Sequence, residues 1–212
     1  MTEAPENQMR ERGDGTVQVV LLAVFALSGA AALIYQVSWQ RILFSSFGVD
    51  IESTTIIVST FMLGLGCGAL VGGLLADHFQ QRQIEIFALA ECGIGVFGAA
   101  SPTLLRAVAE QTFAYTVPVI AAVNFCLMLI PTVLMGATLP VLVAALVRRY
   151  GNVGVSIGRL YSANTGGACL GALAAGVLLL IYLTVDQCIY LAAGFNLLAA
   201  SCTYFFLRET PR

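Results

Sequence analysis

The chain has 212 residues, of which 58% are hydrophobic and only 10% are charged, with a mean hydropathy of +0.88 and a formal net charge of −2. Soluble domains carry about 25% charged residues, so this chain has too little charge to cover a water-facing surface. This excludes a soluble enzyme, a disordered chain and a nucleic-acid-binding protein. The composition predicts an all-α, polytopic protein inserted in a lipid bilayer.

The chain opens with a polar segment, residues 1–16, which predicts a short surface or disordered tail. Six apolar stretches follow, and each is long enough for the roughly 20 residues that a helix needs to cross a bilayer core. They cover about 17–39, 54–76, 84–105, 117–147, 157–183 and 187–207. Continuous runs of this kind are unlike the short alternating segments of a transmembrane barrel. The sequence therefore predicts a six-helix domain over 17–208 and a C-terminal tail at 209–212.

The third and fourth stretches contain prolines. Ser101-Pro102 predicts the end of the third helix, followed by an amphipathic interfacial helix over 103–114. The fourth stretch is long and predicts one kinked span, with two half-helices as the alternative. A proline in a span frees a carbonyl one turn back, which Thr132 or Thr138 could bond.

Arginine counting predicts the topology, since cytoplasmic loops carry the excess of positive charge. With a cytoplasmic N-terminus, the outside set is only Arg41 and Arg106. The inside set is Arg10, Arg12, Arg82, Arg148, Arg149, Arg159, Arg208 and Arg212. Both termini are then cytoplasmic, and a bacterial-type inner membrane is expected. Arg41, beside Trp39, is interpreted as an interface anchor.

Small residues recur every four positions on two of the predicted helices. The second helix carries Gly64, Gly68 and Gly72, and the fifth carries Gly167, Gly171 and Ala175. This spacing places them on one face, where another backbone can approach closely. The two ridges predict either an association surface or packing within the chain.

The loop after the second helix, GGLLADHFQQRQ, carries a carboxylate at a helix end beside an arginine. It resembles the G-x-L-x-D-R-x-G-R-R loop of the major facilitator superfamily, with His78 and Gln81 departing from that pattern. Asp77 and Arg82 could latch a cytoplasmic gate through charge-assisted hydrogen bonds. The alternative is a solvated turn.

Three further stretches, Ser28–Gly48, Leu129–Leu142 and Gly158–Gly176, together with ALAECGIGVFG around Glu91, resemble the membrane portion of the spermidine-synthase-like membrane proteins. In that family a facilitator-like membrane part is often fused to an aminopropyltransferase-like domain. The resemblance implies a six-helix bundle like half of a major facilitator fold. This chain shows no glycine-rich strand-to-helix loop, so no residue is assigned to aminopropyl transfer.

Polar residues inside the spans are the candidate solute-binding residues, because burying them in hydrocarbon is costly. Glu91 could bind a cation or a proton, or pair with an arginine. The amides could either hold helices together through hydrogen bonds or line a cavity. The candidates are Glu91, Asn124, Asn164, Tyr161 and Gln36, with Asn196 as a further buried amide.

Two functions from different classes follow. The first is a transporter-like half-facilitator that acts as a homodimer on a small solute, for which a polyamine-like cation is one option. The second is a non-transporting subunit that anchors or regulates a separately encoded aminopropyltransferase-like enzyme or a larger complex. No nucleophile–base pair is found, so the chain itself is predicted not to be an enzyme. The six cysteines are scattered singly and are interpreted as small buried hydrophobes, and no metal or cofactor is expected.

Overall fold

The predicted spans are long helices. The computed structural model describes residues 5–47, 50–112 and 114–207. The helices are α1 (Pro5–Phe47), α2 (Asp50–His78), α3 (Gln83–Thr112), α4 (Val117–Tyr150), α5 (Val153–Leu173) and α6 (Val185–Leu207). A π-helical segment, Ala174–Leu179, and a last turn, Leu180–Tyr182, extend α5. In this described part, six helical rods are long and apolar enough to cross a membrane, which confirms the all-α class and the predicted number of long apolar helices.

The first helix begins earlier than predicted. α1 starts at Pro5, so most of the segment assigned to a polar tail continues the helix. Residues 6–12 are mainly Glu, Gln, Met and Arg, which favour helix, and proline is well tolerated at a first helical position. Residues 1–4 and the predicted tail at 209–212, with Arg208 and Arg212, lie outside the described residues.

The predicted break at Ser101-Pro102 is wrong, because α3 runs unbroken from Gln83 to Thr112 with Pro102 inside it. There is accordingly no separate interfacial helix at 103–114. Proline removes the N–H that would bond the carbonyl four residues back. That carbonyl belongs to Gly98, and the Ser101 hydroxyl donates to it at 2.7 Å. The neighbouring side chain thus replaces the missing bond.

The fourth stretch is a single helix, α4, with Pro131 and Pro140 inside it, so two half-helices are excluded. The two threonines bond different carbonyls from those that the prolines free. Thr132 donates to Met128 and Leu129, and Thr138 donates to Met135. α4 ends at Tyr150, and the capping residue Gly151 has a φ of 70°, which lies in the left-handed region that favours glycine.

The helices pack in a pattern with internal symmetry. The most extensive pairs are α2 with α4, α1 with α5, and α3 with α6, followed by α1 with α6 and α3 with α4. Exchanging α1 with α4, α2 with α5, and α3 with α6 reproduces this set of pairs. Since successive spans alternate in direction, the first three helices and the last three form two repeats of opposite orientation.

The four-spaced ridges are covered by helices of the same chain. A Cβ atom added at Gly68 would lie 2.2 Å from the Val133 carbonyl oxygen, and one at Gly171 would lie 2.3 Å from that of Ala30. Gly64 and Gly72 likewise meet α4, Gly167 meets α1, and Ala175 is fully buried. The predicted association surface is therefore corrected: these faces meet α4 and α1, and small residues there allow close backbone contact within the bundle.

The outward faces carry apolar side chains, as expected of helices that meet lipid. α4 and α5 are the most exposed of the six spans, with 22% and 17% of their most apolar windows buried. Four of the cysteines predicted to be buried, namely Cys67, Cys92, Cys126 and Cys169, are exposed. A small apolar thiol is compatible with a lipid-facing position, so this correction leaves the helix assignments unchanged.

Candidate functional site

The candidate site is a polar layer in which three helices meet. Glu91 of α3 is fully buried. The Ser28 hydroxyl of α1 donates to its Oε1 at 2.6 Å, and the Asn196 amide of α6 donates to its Oε2 at 2.7 Å. Among the described residues, no arginine or histidine forms an ion pair with Glu91. The pairing with an arginine that the sequence allowed is thus not present in this part of the chain.

Apolar clusters lie on both sides of this layer. One turn toward the start of α1, Phe25 packs against Phe87 of α3 with ring centroids 6.2 Å apart, and both belong to a buried cluster that includes Ala199 of α6. One turn the other way, Ala31 and Ile94 belong to a second cluster. The polar layer is therefore sealed from the two ends of the bundle by hydrophobic side chains.

Further polar contacts align α1 with α3. The Trp39 indole N–H donates to the Ser101 hydroxyl at 2.8 Å, and the Tyr35 ring stacks on Trp39 with centroids 4.8 Å apart. The Tyr35 hydroxyl is buried against Gly98 and has no hydrogen-bond partner. Ser28–Glu91 and Trp39–Ser101 thus fix the register of two helices that run in the same direction.

The other predicted solute-binding residues are not brought together with Glu91. Asn164 lies against Gly29 of α1, where a Cβ atom would sit 2.2 Å from the Asn164 carbonyl oxygen. Asn124 is buried and donates to the Ile120 carbonyl of its own helix at 2.9 Å. Tyr161 is exposed, and Gln36 is half-buried. No hydrogen bond joins any two of these five side chains, so their common role remains a prediction.

The turn between α2 and α3 holds the residues predicted to form a latch. Asp77 and Arg82 are both exposed, and no ion pair joins them. Arg148, in the last turn of α4, instead donates to the Gln80 carbonyl of this turn. Cationic side chains commonly bond the free carbonyls at a helix end. The gating role of Asp77 remains a prediction, and the sequence pattern did not indicate the Arg148 contact.

The opposite end of the bundle carries an ion pair. Arg106 of α3 donates to both carboxylate oxygens of Asp186 of α6, at 2.9 and 2.6 Å. Arg41 is exposed and lines a shallow pocket with Val37, Gln40 and Phe44. This position at the helix end is consistent with its interpretation as an interface anchor.

Over the residues described, the geometry defines a helical bundle with six potential membrane spans and a buried acidic layer. The chain is similar to the polyamine aminopropyltransferase of Corynebacterium efficiens, at 29% identity over 85% of this chain and 34% of the relative. It is also similar to the protein of that name from Mycobacterium tuberculosis, at 29% identity over 97% of this chain and 38% of the relative. The chain thus spans about a third of the length of these relatives. No protein-family profile and no solved structure matches it.

These matches support the predicted link to spermidine-synthase-like proteins. They also correct one prediction. The sequence was interpreted as that of a non-enzyme, but the matched curated relatives are named as aminopropyltransferases, which are enzymes. The interpretation rested on the lack of a nucleophile–base pair in the apolar helices, and such a lack says nothing about the activity of a longer protein that contains helices of this kind.

Proposed function

We propose that this chain forms the membrane-embedded part of a polyamine aminopropyltransferase, and that it holds the enzyme at the cytoplasmic face of a bilayer. The enzymatic activity belongs to the assembled protein. The polar surface that aminopropyl transfer requires would be supplied by a catalytic part. This part corresponds to the larger portion of the relatives, which this chain does not match.

The observation that carries the proposal is the asymmetry of the matches. They cover 85% and 97% of this chain but only 34% and 38% of the relatives. Such an alignment is expected when one part of a longer enzyme resembles this chain along nearly its whole length. Because this chain consists of apolar helices of membrane-spanning length, the shared part would be the membrane part.

A docking face for the enzyme is suggested by the basic end of the bundle. Arg82, Arg148 and Arg159 are exposed at the α2–α3 turn, the end of α4 and the start of α5. The arginine count predicts that this end is cytoplasmic. A face with this charge would attract an acidic surface on the catalytic part, and salt would weaken the attraction.

The proposal is tested by following aminopropyl transfer to a polyamine acceptor. The tagged chain is purified in mild detergent from the membranes of its own host, and the activity in the eluate is compared with that eluted by an unrelated six-span protein. We expect activity to elute with the chain. Replacing Arg82, Arg148 and Arg159 by Gln should release activity into the soluble fraction, whereas Arg106→Gln, at the other end, should not. If deleting the chain changed neither the amount nor the membrane fraction of activity, the proposal would be refuted.

A second candidate, transport of a polyamine by a half-facilitator, is favoured by the packing symmetry. Two three-helix repeats of opposite orientation are the building unit of each half of the major facilitator fold. The exposed faces of α4 and α5 would then meet a second copy or a homologous partner across a shared cavity. Uptake of labelled polyamine into liposomes that contain only this chain tests this candidate, and absence of uptake at any reconstituted density would exclude it.

A further inference from the structure

The Glu91 layer contains more acceptors than donors. Both carboxylate oxygens accept a hydrogen bond, one from Ser28 and one from Asn196. The remaining oxygen of this layer, Oδ1 of Asn196, is buried and has no partner. Buried polar atoms are normally paired, so an unpaired acceptor marks a place where a donor is missing.

The layer also lacks positive charge. Glu91 is fully buried, and within the described residues no cation lies at ion-pair distance from it. On α1, the Tyr35 hydroxyl lies against Gly98 of α3, and a phenol cannot supply a positive charge. The charged residues of the other helices packed on α3 lie at their ends: Arg148 and Arg149 on α4, and Asp186 on α6. An ionised carboxylate without a counter-charge in such a place is strongly disfavoured.

We propose that Ser28, Glu91 and Asn196 form a proton-binding site in the middle of the bundle. A single proton on Glu91 leaves the buried carboxyl group neutral, so that no counter-charge is needed, and provides an O–H donor for Oδ1 of Asn196. With the proton on Oε2 and the Asn196 amide turned over, the new O–H donates to Oδ1 across the same 2.7 Å, and the Nδ2 group then takes the position that Oδ1 held. Amide nitrogen and oxygen differ little in size, so this turn requires no movement of the helices.

A proton also fits the packing better than a metal ion does. The side chains of the layer bond each other directly, and apolar clusters cover it on both sides. A sodium ion would need several oxygen ligands around it and a cavity of its own size. The proton needs neither. Loading and release would require the Phe25–Phe87 contact or its counterpart on the other side to open.

The proposal concerns the bundle itself and does not depend on aminopropyl transfer. It is tested on the purified full chain in liposomes by infrared spectroscopy with carbon-13-labelled glutamate. We expect the C=O band of a protonated carboxylic acid in neutral buffer, shifted by the label. The band should be lost entirely in Glu91→Gln and retained in Glu110→Gln, an exposed acid on the same helix. Asn196→Leu should shift the frequency of the band, because the hydrogen-bond partner is removed.

Several results would overturn the proposal. One is a wild-type spectrum without a protonated glutamate band in neutral and in mildly acidic buffer. Another is a band that persists in Glu91→Gln. A third is sodium-dependent thermal stabilisation, at constant ionic strength, that is lost in Glu91→Gln, which would assign the site to a metal cation. If Glu91→Gln fails to fold, the labelled wild-type spectrum and the Asn196→Leu shift still decide the question.

Discussion

Adding one methyl group at Gly167 tests whether the glycine ridge of α5 serves packing within the chain. A Cβ atom there would lie 1.9 Å from the Ala26 carbonyl oxygen and 2.6 Å from the Ala26 carbonyl carbon. Carbon and oxygen atoms of neighbouring helices normally approach to about 3.3 Å. Both partners are backbone atoms, so no side chain can rotate away. The change Gly167→Ala must therefore push α5 away from α1 by about 1.4 Å locally.

The expected effect is a net loss of about 2 kcal/mol of unfolding free energy. Overpacking of a well-packed interior costs about 1–3 kcal/mol and occasionally more, and a backbone clash belongs at the upper end. Alanine regains up to about 1 kcal/mol of helix propensity over glycine. The matched control is Gly166→Ala, one residue earlier, where nothing lies within 4 Å of the added atom. This control should be neutral or stabilised.

The assay is denaturant unfolding of the purified variants in detergent micelles, followed by far-ultraviolet circular dichroism, with particle mass measured by light scattering. The reasoning predicts that the unfolding free energies of the two variants differ by about 2–3 kcal/mol, the smaller figure if the control is neutral and the larger if it gains the full helix propensity of alanine. The alternative is that the ridge joins two copies. In that case Gly167→Ala would be as stable as Gly166→Ala but would change from dimer to monomer. That pair of observations would refute the intrachain assignment.

Three further predictions concern α3 and the topology. Ser101→Ala should lower the free energy of unfolding by about 1–3 kcal/mol, because it leaves the buried Trp39 indole N–H without an acceptor. The control Ser201→Ala, at an exposed serine, should change the free energy of unfolding by less than about 0.5 kcal/mol. The side chains of Arg106 and Asp186 are 54% and 30% exposed, so a double-mutant cycle on this pair should give a coupling energy of at most about 1 kcal/mol, and salt should reduce it. A larger coupling energy that does not depend on salt would contradict this expectation. A topology reporter at residue 110 should score outside and one at residue 152 inside, and the reverse pattern would also remove the basic face from the cytoplasm.

Part of the candidate site was predictable from composition. An acid in an apolar helix is rare and costly, so Glu91 was indicated by its type and position alone. Asn196 was indicated on the same ground. Ser28 was not indicated as a partner, because serine is common in membrane helices and its hydroxyl can bond its own backbone. Whether Ser28 faces Glu91 depends on the rotation and register of α1 against α3, and no local pattern specifies these.

The number of long helices in the described part of the chain, and the fact that each is long and apolar enough to cross a membrane, were determined by the sequence itself. Hydrophobic runs of this length have few alternatives in a bilayer, where every backbone polar group must be bonded within its own segment. The same reasoning failed at Pro102, because the substitute hydrogen bond from Ser101 depends on a side-chain rotamer and not on a residue pattern.

Only the tertiary structure decided which helix faces meet. Small residues that recur every four positions indicate that another backbone can approach closely, but they do not indicate whether that backbone belongs to the same chain. The structure assigns the ridge of α2 to α4 and that of α5 to α1, with added Cβ atoms 2.2 Å and 1.9 Å from backbone oxygens at Gly68 and Gly167. In lipid, helix pairing is selected by close van der Waals fit between whole faces. That fit depends on the mutual rotation, register and tilt of two helices, which residues distant in the chain set together.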